Sequence, residues 1–289
     1  MFLEHYGLEA VVIATVAGAH ADQALKAIEQ DKHVLCEKPL SIRADISQSV
    51  VDAAAKKPHL KVLCAFSRRF DDSYRKAWSQ MNSGSVGDAV VFRSQTCDML
   101  NPTRSFLPYV KASGGVFLDL NIHDIDLCLW FLGESLVVKS VSASGVCAVH
   151  SELAELGDVD NGVAIVEFWG GKVAQFFNSR IMAAGQHDMS EVIGTKGKIV
   201  VNSHPADSLV EMHKVGGVRR ELPTDYYGRF EHAFVTEAIE FTAACLDGTE
   251  LPFGLRGAVK AVEIAVASRD SLTTGQKIHF DELGCRINV

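Results

Sequence analysis

The sequence predicts an α/β fold: a parallel, doubly wound sheet, then an α+β part on a large, open, mostly antiparallel sheet. Three observations carry this. Short β-branched runs alternate with helical stretches up to about Ala65. A strongly apolar helix follows near the middle of the chain. Beyond it, segments of alternating polarity succeed one another at turn spacing.

Taken in order, Ala10 to Thr15 is a continuous apolar run, as expected of a strand buried on both faces. Ala19 to Gln30 is helical, with Ala21, Ala24, Leu25 and Ile28 on one side. His33 to Cys36 is a second strand, Ala44 to Ala55 a second helix and Lys61 to Ala65 a third strand. After about residue 70 the pattern changes. A helix at Tyr74 to Met81 precedes a strand at Ala89 to Thr96, and a polar, proline-containing stretch runs to Ser113. One apolar helix is predicted over Val116 to Leu132. Strands are predicted at Val137 to Val146, Gly162 to Trp169, Lys172 to Ser179, Met189 to Ile193, Lys198 to Asn202 and Leu209 to His213. Helices at Arg229 to Leu246 and Leu255 to Thr273 close the chain. The expected division is 1–70 and 71–289.

Charge and cysteine usage exclude several classes. Lys plus Arg is 28 and Asp plus Glu is 36, a net charge of -8 over 289 residues. Binding to nucleic acid needs clustered cations, which this balance does not supply; Arg219-Arg220 is expected in a solvated turn. The seven cysteines are scattered, with no C-x-x-C, as in a cytoplasmic protein with reduced thiols. There is no apolar run long enough to span a membrane. No metal site is expected, because no complementary ligand cluster accompanies the Asp and His residues. Gly194-Thr195-Lys196-Gly197 lacks the spacing of a phosphate loop and is expected to be a hairpin turn.

Two constellations are suited to chemistry. Glu37-Lys38-Pro39 follows the carboxyl end of a parallel strand, the edge where open α/β sheets bind ligands. A partly desolvated lysine there suits acid–base work; a surface lysine beside a helix start is the alternative. Pro39 is a candidate for a cis bond. The second constellation is Asp119, His123 and Asp126, at i, i+4 and i+7 on one face of an otherwise apolar helix. Buried polar groups must be paired or functional. A histidine beside carboxylates suits proton transfer; a satisfied structural network is the alternative. Arg68-Arg69-Phe70-Asp71 follows the third strand and Gln186-His187-Asp188 precedes a later one; each could reach a cleft.

In order and spacing, these pieces resemble the glucose–fructose oxidoreductase and inositol dehydrogenase family. The resemblance rests on Ile13-Ala14-Thr15 followed by His20, on Val34 to Leu40 with Glu37-Lys38-Pro39, and on Arg68-Arg69-Phe70-Asp71. It rests also on Ser113-Gly114-Gly115 leading into Asp119-x-x-x-His123-Asp124-x-Asp126, with Glu191 to Gly197 and Glu237 to Cys245 as later landmarks. It covers essentially the whole chain.

The resemblance implies hydride transfer between NAD or NADP and a hydroxyl carbon of a sugar or polyol such as a cyclitol. Lys38, Asp119 and His123 match the catalytic positions, His123 taking the hydroxyl proton. Thr15, His20, Glu37 and Lys38 match cofactor-side positions. Arg68, Asp119, His123 and His187 match substrate-side positions, with Gln186 beside His187. The implied assembly is a homodimer or homotetramer through the open sheet. Val16-Ala17-Gly18 departs from the family's usual turn, and no G-x-G-x-x-G occurs. The first strand here matches the fourth of the family's Rossmann-like domain. With about 30 residues per βαβ unit, roughly 70 residues of a complete domain are expected to be absent. The parallel part is thus a partial Rossmann-like sheet, its first βαβ units absent, with an exposed edge. Two alternatives stand beside the dehydrogenase: a shortened enzyme doing cofactor-free dehydration or isomerisation, and a non-enzymatic sensor or interaction module.

Overall fold

The computed structural model describes residues 7–101 and 107–287. Its first part is a three-stranded parallel sheet. Strand β1 (Ala10–Ile13), helix α1 (Ala17–Glu29), β2 (His33–Glu37), α2 (Ala44–Ala55) and β3 (Val62–Ala65) succeed one another, with β2 central. All four residues of β3 are buried. Strand β1 is an edge: among the described residues it pairs with β2 alone, and Val12 is largely exposed.

A 3-10 turn over Ser67–Phe70 leads to α3 (Asp72–Asn82). The Asp71 carboxylate caps α3 by accepting from the Ser73 and Tyr74 amides at 3.0 and 3.1 Å. The next elements are β4 (Ala89–Met99), α4 (Leu107–Ser113), α5 (Val116–Asp119), α6 (Ile122–Leu132), β5 (Val138–Val146), α7 (Glu152–Glu155), β6 (Asn161–Phe168), β7 (Val173–Met182), β8 (His187–Gly194) and β9 (Lys198–Val201). The chain then forms an exposed hairpin, β10 (Glu211–Lys214) with β11 (Gly217–Arg220), before α8 (Tyr226–Asp247), α9 (Arg256–Thr274), β12 (Ile278–Phe280) and β13 (Arg286–Ile287). The large sheet has the order β13-β12-β5-β6-β7-β4-β8-β9. It is antiparallel except where β4 and β7 run parallel.

Helices α5, α6 and α9 contribute the buried stripe that covers one face of this sheet. Val116, Leu118, Ile122, Ile125, Leu127 and Leu129 are fully buried, as are Ala261, Val262 and Ala265. The opposite face carries exposed Val163, Ile165 and Val200. Among the described residues no helix is long and apolar enough to cross a membrane, and no cluster of His, Cys, Asp and Glu could hold a metal ion.

The structure corrects four expectations. The single helix over Val116 to Leu132 is two helices, interrupted at Leu120-Asn121. The polar stretch before Ser113 contains α4, while 102–106 lies outside the described residues. Arg219 and Arg220 lie in a strand, not a turn; the strand is exposed on every residue, so no buried face marks it in the sequence. The short closing strands β12 and β13 have too few residues to show a period.

Candidate active site

The carboxyl ends of β1 and β2 open onto a cavity of about 580 Å³. Ala14, Thr15, Ala17, His20, Glu37 and Lys38 line one wall. Asp119, Leu120 and His123 line another, and Thr96, Asp98 and Arg180 project from the large sheet. Ser67 and the aromatic side chains Tyr109, Tyr226, Tyr227 and Phe234 complete the lining. The Lys38–Pro39 peptide bond is cis.

The interruption between α5 and α6 shapes the centre of this site. Gly114 and Gly115 both have positive φ, 85° and 93°, and a Cβ on Gly114 would meet Leu118 Cδ1 at 2.8 Å. Glycine therefore sets the angle at which α5 starts. The hydrogen-bond ladder then slips, with the Asn121 amide reaching back to Val116 O at 3.2 Å and the His123 amide to Leu120 O at 3.4 Å. In an unbroken helix the His123 amide would bond the Asp119 carbonyl. Here that carbonyl instead accepts from Lys38 Nζ at 2.8 Å.

Asp119 is the hub. Its Oδ1 lies 3.5 Å from Lys38 Nζ and accepts from the Tyr109 hydroxyl at 2.9 Å. Its Oδ2 accepts from Arg180 Nη2 at 2.9 Å. Burial alone would raise this carboxyl, but Arg180 and then Lys38 outweigh it and hold it below the usual 3.8. Asp119 is therefore a carboxylate at neutral pH.

His123 is 5% exposed. Burial first, then the positive charges of Lys38 and Arg68, hold its imidazole well below the ordinary 6.5. Its Nδ1 lies 3.4 Å from the Tyr226 hydroxyl, which lies 2.8 Å from Ser67 Oγ. The two rings pack with centroids 5.1 Å apart, and Phe66 meets the histidine edge-on. Nε2 has no hydrogen-bond partner among the described residues.

Residues 74–200 match the GFO/IDH/MocA C-terminal domain, and residues 2–65 match an oxidoreductase family with an NAD-binding Rossmann fold. An uncharacterized oxidoreductase of Bacillus subtilis is 30% identical over 276 residues, spanning 95% of this chain and 79% of the relative. The chain belongs to the GFO/IDH/MocA family. Its relatives within that family include the scyllo-inositol 2-dehydrogenase (NAD(+)) of B. subtilis, 30% identical over 96% of this chain and 80% of the relative. The crystal structure of scyllo-inositol dehydrogenase from Lactobacillus casei with bound NAD(H) and scyllo-inositol superposes with a TM-score of 0.90. That protein is 28% identical, with 96% of this chain and 82% of the other covered. The family's members thus include NAD-dependent inositol dehydrogenases.

Among the family-matched positions, Thr15, His20, Glu37, Lys38, Asp119 and His123 all line the one cavity. The His20 ring sits between two wall segments, its Nδ1 2.8 Å from Pro39 O and its Nε2 3.1 Å from Thr15 O. Three residues stand elsewhere than expected. Arg68 is 1% exposed and does not line the cavity. Its guanidinium donates to Asp124 at 3.2 Å, Asp188 at 2.9 Å and Thr96 Oγ1 at 2.8 Å, holding the 3-10 turn to α6, β8 and β4. His187 lies on β8 outside the lining, and burial lowers its imidazole below 6.5. Asp126 does not share Asp119's surroundings. The helix break parts them, and Asp126 receives both arms of Arg69 at 2.8 and 2.7 Å.

Sequence reasoning missed Tyr226, Arg180, Tyr109 and Asp98. A usable signal existed for two of them. On β7 the buried phase Ala174, Phe176, Asn178, Arg180 turns polar at one end, and on β4 the phase Phe92, Ser94, Thr96, Asp98 does the same. A period-2 apolar face that becomes charged marks the end of a strand that meets a site. Tyr109 and Tyr226 carry no such mark.

Proposed function

We propose that this chain is a nicotinamide-dependent oxidoreductase that acts on a ring hydroxyl of an inositol-like polyol. The observation that carries the reading is the convergence of Lys38, Asp119 and His123 in one cavity at the carboxyl ends of β1 and β2. Thr15, His20, Glu37 and Lys38 form the wall that would hold the nicotinamide end of the cofactor. The cavity volume of about 580 Å³ has room for that end and a six-membered ring together. When bound, the nicotinamide supplies the hydride acceptor.

The residues divide the remaining work. Lys38, fixed by the Asp119 carbonyl and carboxylate, presents an ammonium donor to the reacting oxygen. That positive charge favours the alkoxide that develops there. His123, neutral through burial and the neighbouring cations, takes the hydroxyl proton. When the Tyr226 hydroxyl donates to Ser67, its oxygen accepts from His123 Nδ1–H, which leaves Nε2 as the base. Asp119 does not titrate in this scheme; Arg180 and Tyr109 orient its carboxylate so that Lys38 is held in place. The exposed apolar residues Val163, Ile165 and Val200 suit pairing with a second copy through the open sheet face, which sedimentation would test.

The test is turnover of NAD+ or NADP+ with a panel of inositols and sugars. Reduced nicotinamide should form with at least one of them, and His123→Ala should slow it by about 100-fold or more. Absence of cofactor reduction with every substrate, or turnover that needs no nicotinamide, overturns the reading.

A further inference from the structure

Helix α5 is one turn long and carries Asp119 at its last position, so the angle at which it starts decides where the Asp119 carbonyl and carboxylate meet Lys38. Gly115, at its N-cap, has no side chain to hold that angle. The Val116 amide donates instead to Asp158 Oδ1 at 2.9 Å. Asp158 comes from the loop between α7 and β6, 42 residues along the chain, and is 6% exposed. A Cβ on Gly115 would lie 3.2 Å from the same oxygen, so glycine lets the helix start close on this carboxylate. The loop is anchored without help from α5. The Asp160 carboxylate accepts from the Ala148, Val149 and His150 amides at 2.8, 2.7 and 2.9 Å, and the Asp160 carbonyl accepts from the Arg180 amide at 2.8 Å. That last bond joins the loop to β7, the strand whose Arg180 side chain grips Asp119 Oδ2.

We infer that Asp158 is a positioning residue for the site: by capping α5 from a fixed loop, it sets where Asp119 holds Lys38. Only the turn from Val116 to Asp119 separates the cap from the carbonyl that receives Lys38 Nζ. A displacement at the start of the helix therefore has little backbone in which to relax. The Arg180 charge acts on both carboxylates. It holds Asp119 down against burial. Burial raises Asp158 above 3.8, and the Val116 amide and then Arg180 oppose that rise. Asp158 does not line the cavity, so its influence on substrate or cofactor passes through Asp119 and Lys38. The catalytic consequence rests on the oxidoreductase reading above; the placement of Lys38 does not.

Two measurements on the full chain test it: isotope-edited NMR of the Lys38 ε-carbon without ligand, assigned by its loss in Lys38→Arg, and steady-state turnover. Asp158→Ala removes the cap. It should move the Lys38 resonance and lower kcat by about tenfold or more with KM changed by less than about threefold, because small misplacements of a reacting group are costly. Asp158→Asn keeps an acceptor for the Val116 amide and should hold both readouts near the wild-type values. Asp158→Glu keeps the charge but carries the acceptor one methylene further. It should behave like Asp158→Ala, and it serves if that variant does not fold. A purely structural role would lower the melting temperature of the variants and leave the Lys38 resonance and the kcat of the folded protein unchanged, which overturns the inference. Effects that follow charge, with Asp158→Glu near the wild-type chain and Asp158→Asn matching Asp158→Ala, also overturn it. If the wild-type chain turns over no substrate with either nicotinamide, the oxidoreductase reading falls, and Asp158 is still judged by the Lys38 resonance.

Discussion

Arg68→Met removes the cation between two buried carboxylates and decides whether this arginine serves the fold or the substrate. The Arg68 side chain is 1% exposed and those of Asp124 and Asp188 are 0% exposed, so solvent does not screen the pairs. Removing one partner of such a buried pair costs about 3–5 kcal/mol, because the other charge stays desolvated. Ser94, Thr96 and Asn121 still donate to Asp124 at 2.5, 2.7 and 3.1 Å, and Gln186 to Asp188, which moderates the loss. We expect about 4 kcal/mol at neutral pH, a large share of the roughly 5–15 kcal/mol that holds a domain folded. The deficit should depend on pH. Burial raises both carboxyls above 3.8 while Arg68 opposes it. Without Arg68 they rise further. A carboxyl with a raised folded pKa binds its proton more readily in the folded state, so the destabilisation develops as pH rises above 3.8 and fades as pH falls toward it. Urea unfolding of both proteins at neutral pH and at ~pH 5 measures this. A deficit below about 1 kcal/mol, or one independent of pH, would refute the reasoning. A raised KM with unchanged stability would return Arg68 to the substrate.

The remaining predictions concern the base. His123 is held well below 6.5 by burial, then Lys38 and Arg68, so its neutral form persists as pH falls through 6.5. The acid limb of kcat/KM should therefore lie below 6.5, and a limb at or above that value contradicts the assignment. The same lowered value favours the fold above 6.5 and erodes it as pH drops below, which denaturation at two pH values would show. Tyr226→Phe keeps the ring packing on His123 and Phe230 but removes the hydroxyl between Nδ1 and Ser67. It should lower kcat by about tenfold with KM little changed and shift the acid limb; a pure KM effect would place the hydroxyl on the substrate instead.

Much of the site was legible because its residues sit at the ends of strongly patterned elements. The run Ala10 to Thr15 and the strand before Glu37 announce a parallel sheet, and ligands meet such sheets at the carboxyl ends. Lys38 and Glu37 could thus be placed at a ligand-binding edge from the pattern, while Thr15 was marked only by the family resemblance. Asp119 and His123 stood out as polar residues on an otherwise apolar helix. Their partners were not legible. Arg180 is 61 residues from Asp119, and Tyr226 is 103 from His123. No local pattern records such pairings. Helix periodicity also misjudged Asp126, which pairs with Arg69 and does not line the cavity with Asp119 and His123. Arg68 was misjudged for a related reason: an arginine at a sheet edge looks the same in sequence whether it faces a cleft or two carboxylates behind it.

The sequence by itself determined the order of elements, the two kinds of sheet and the residue types able to move a proton, since these follow from short-range pattern and side-chain chemistry. Only the tertiary structure decided which carboxylate each cation meets. It also decided that the Asp119 carbonyl leaves its helix for Lys38, and that His123 is buried deeply enough to stay neutral. Those outcomes depend on desolvation and on contacts across the chain, and both are set by how the two sheets pack around the cavity rather than by any stretch of neighbouring residues.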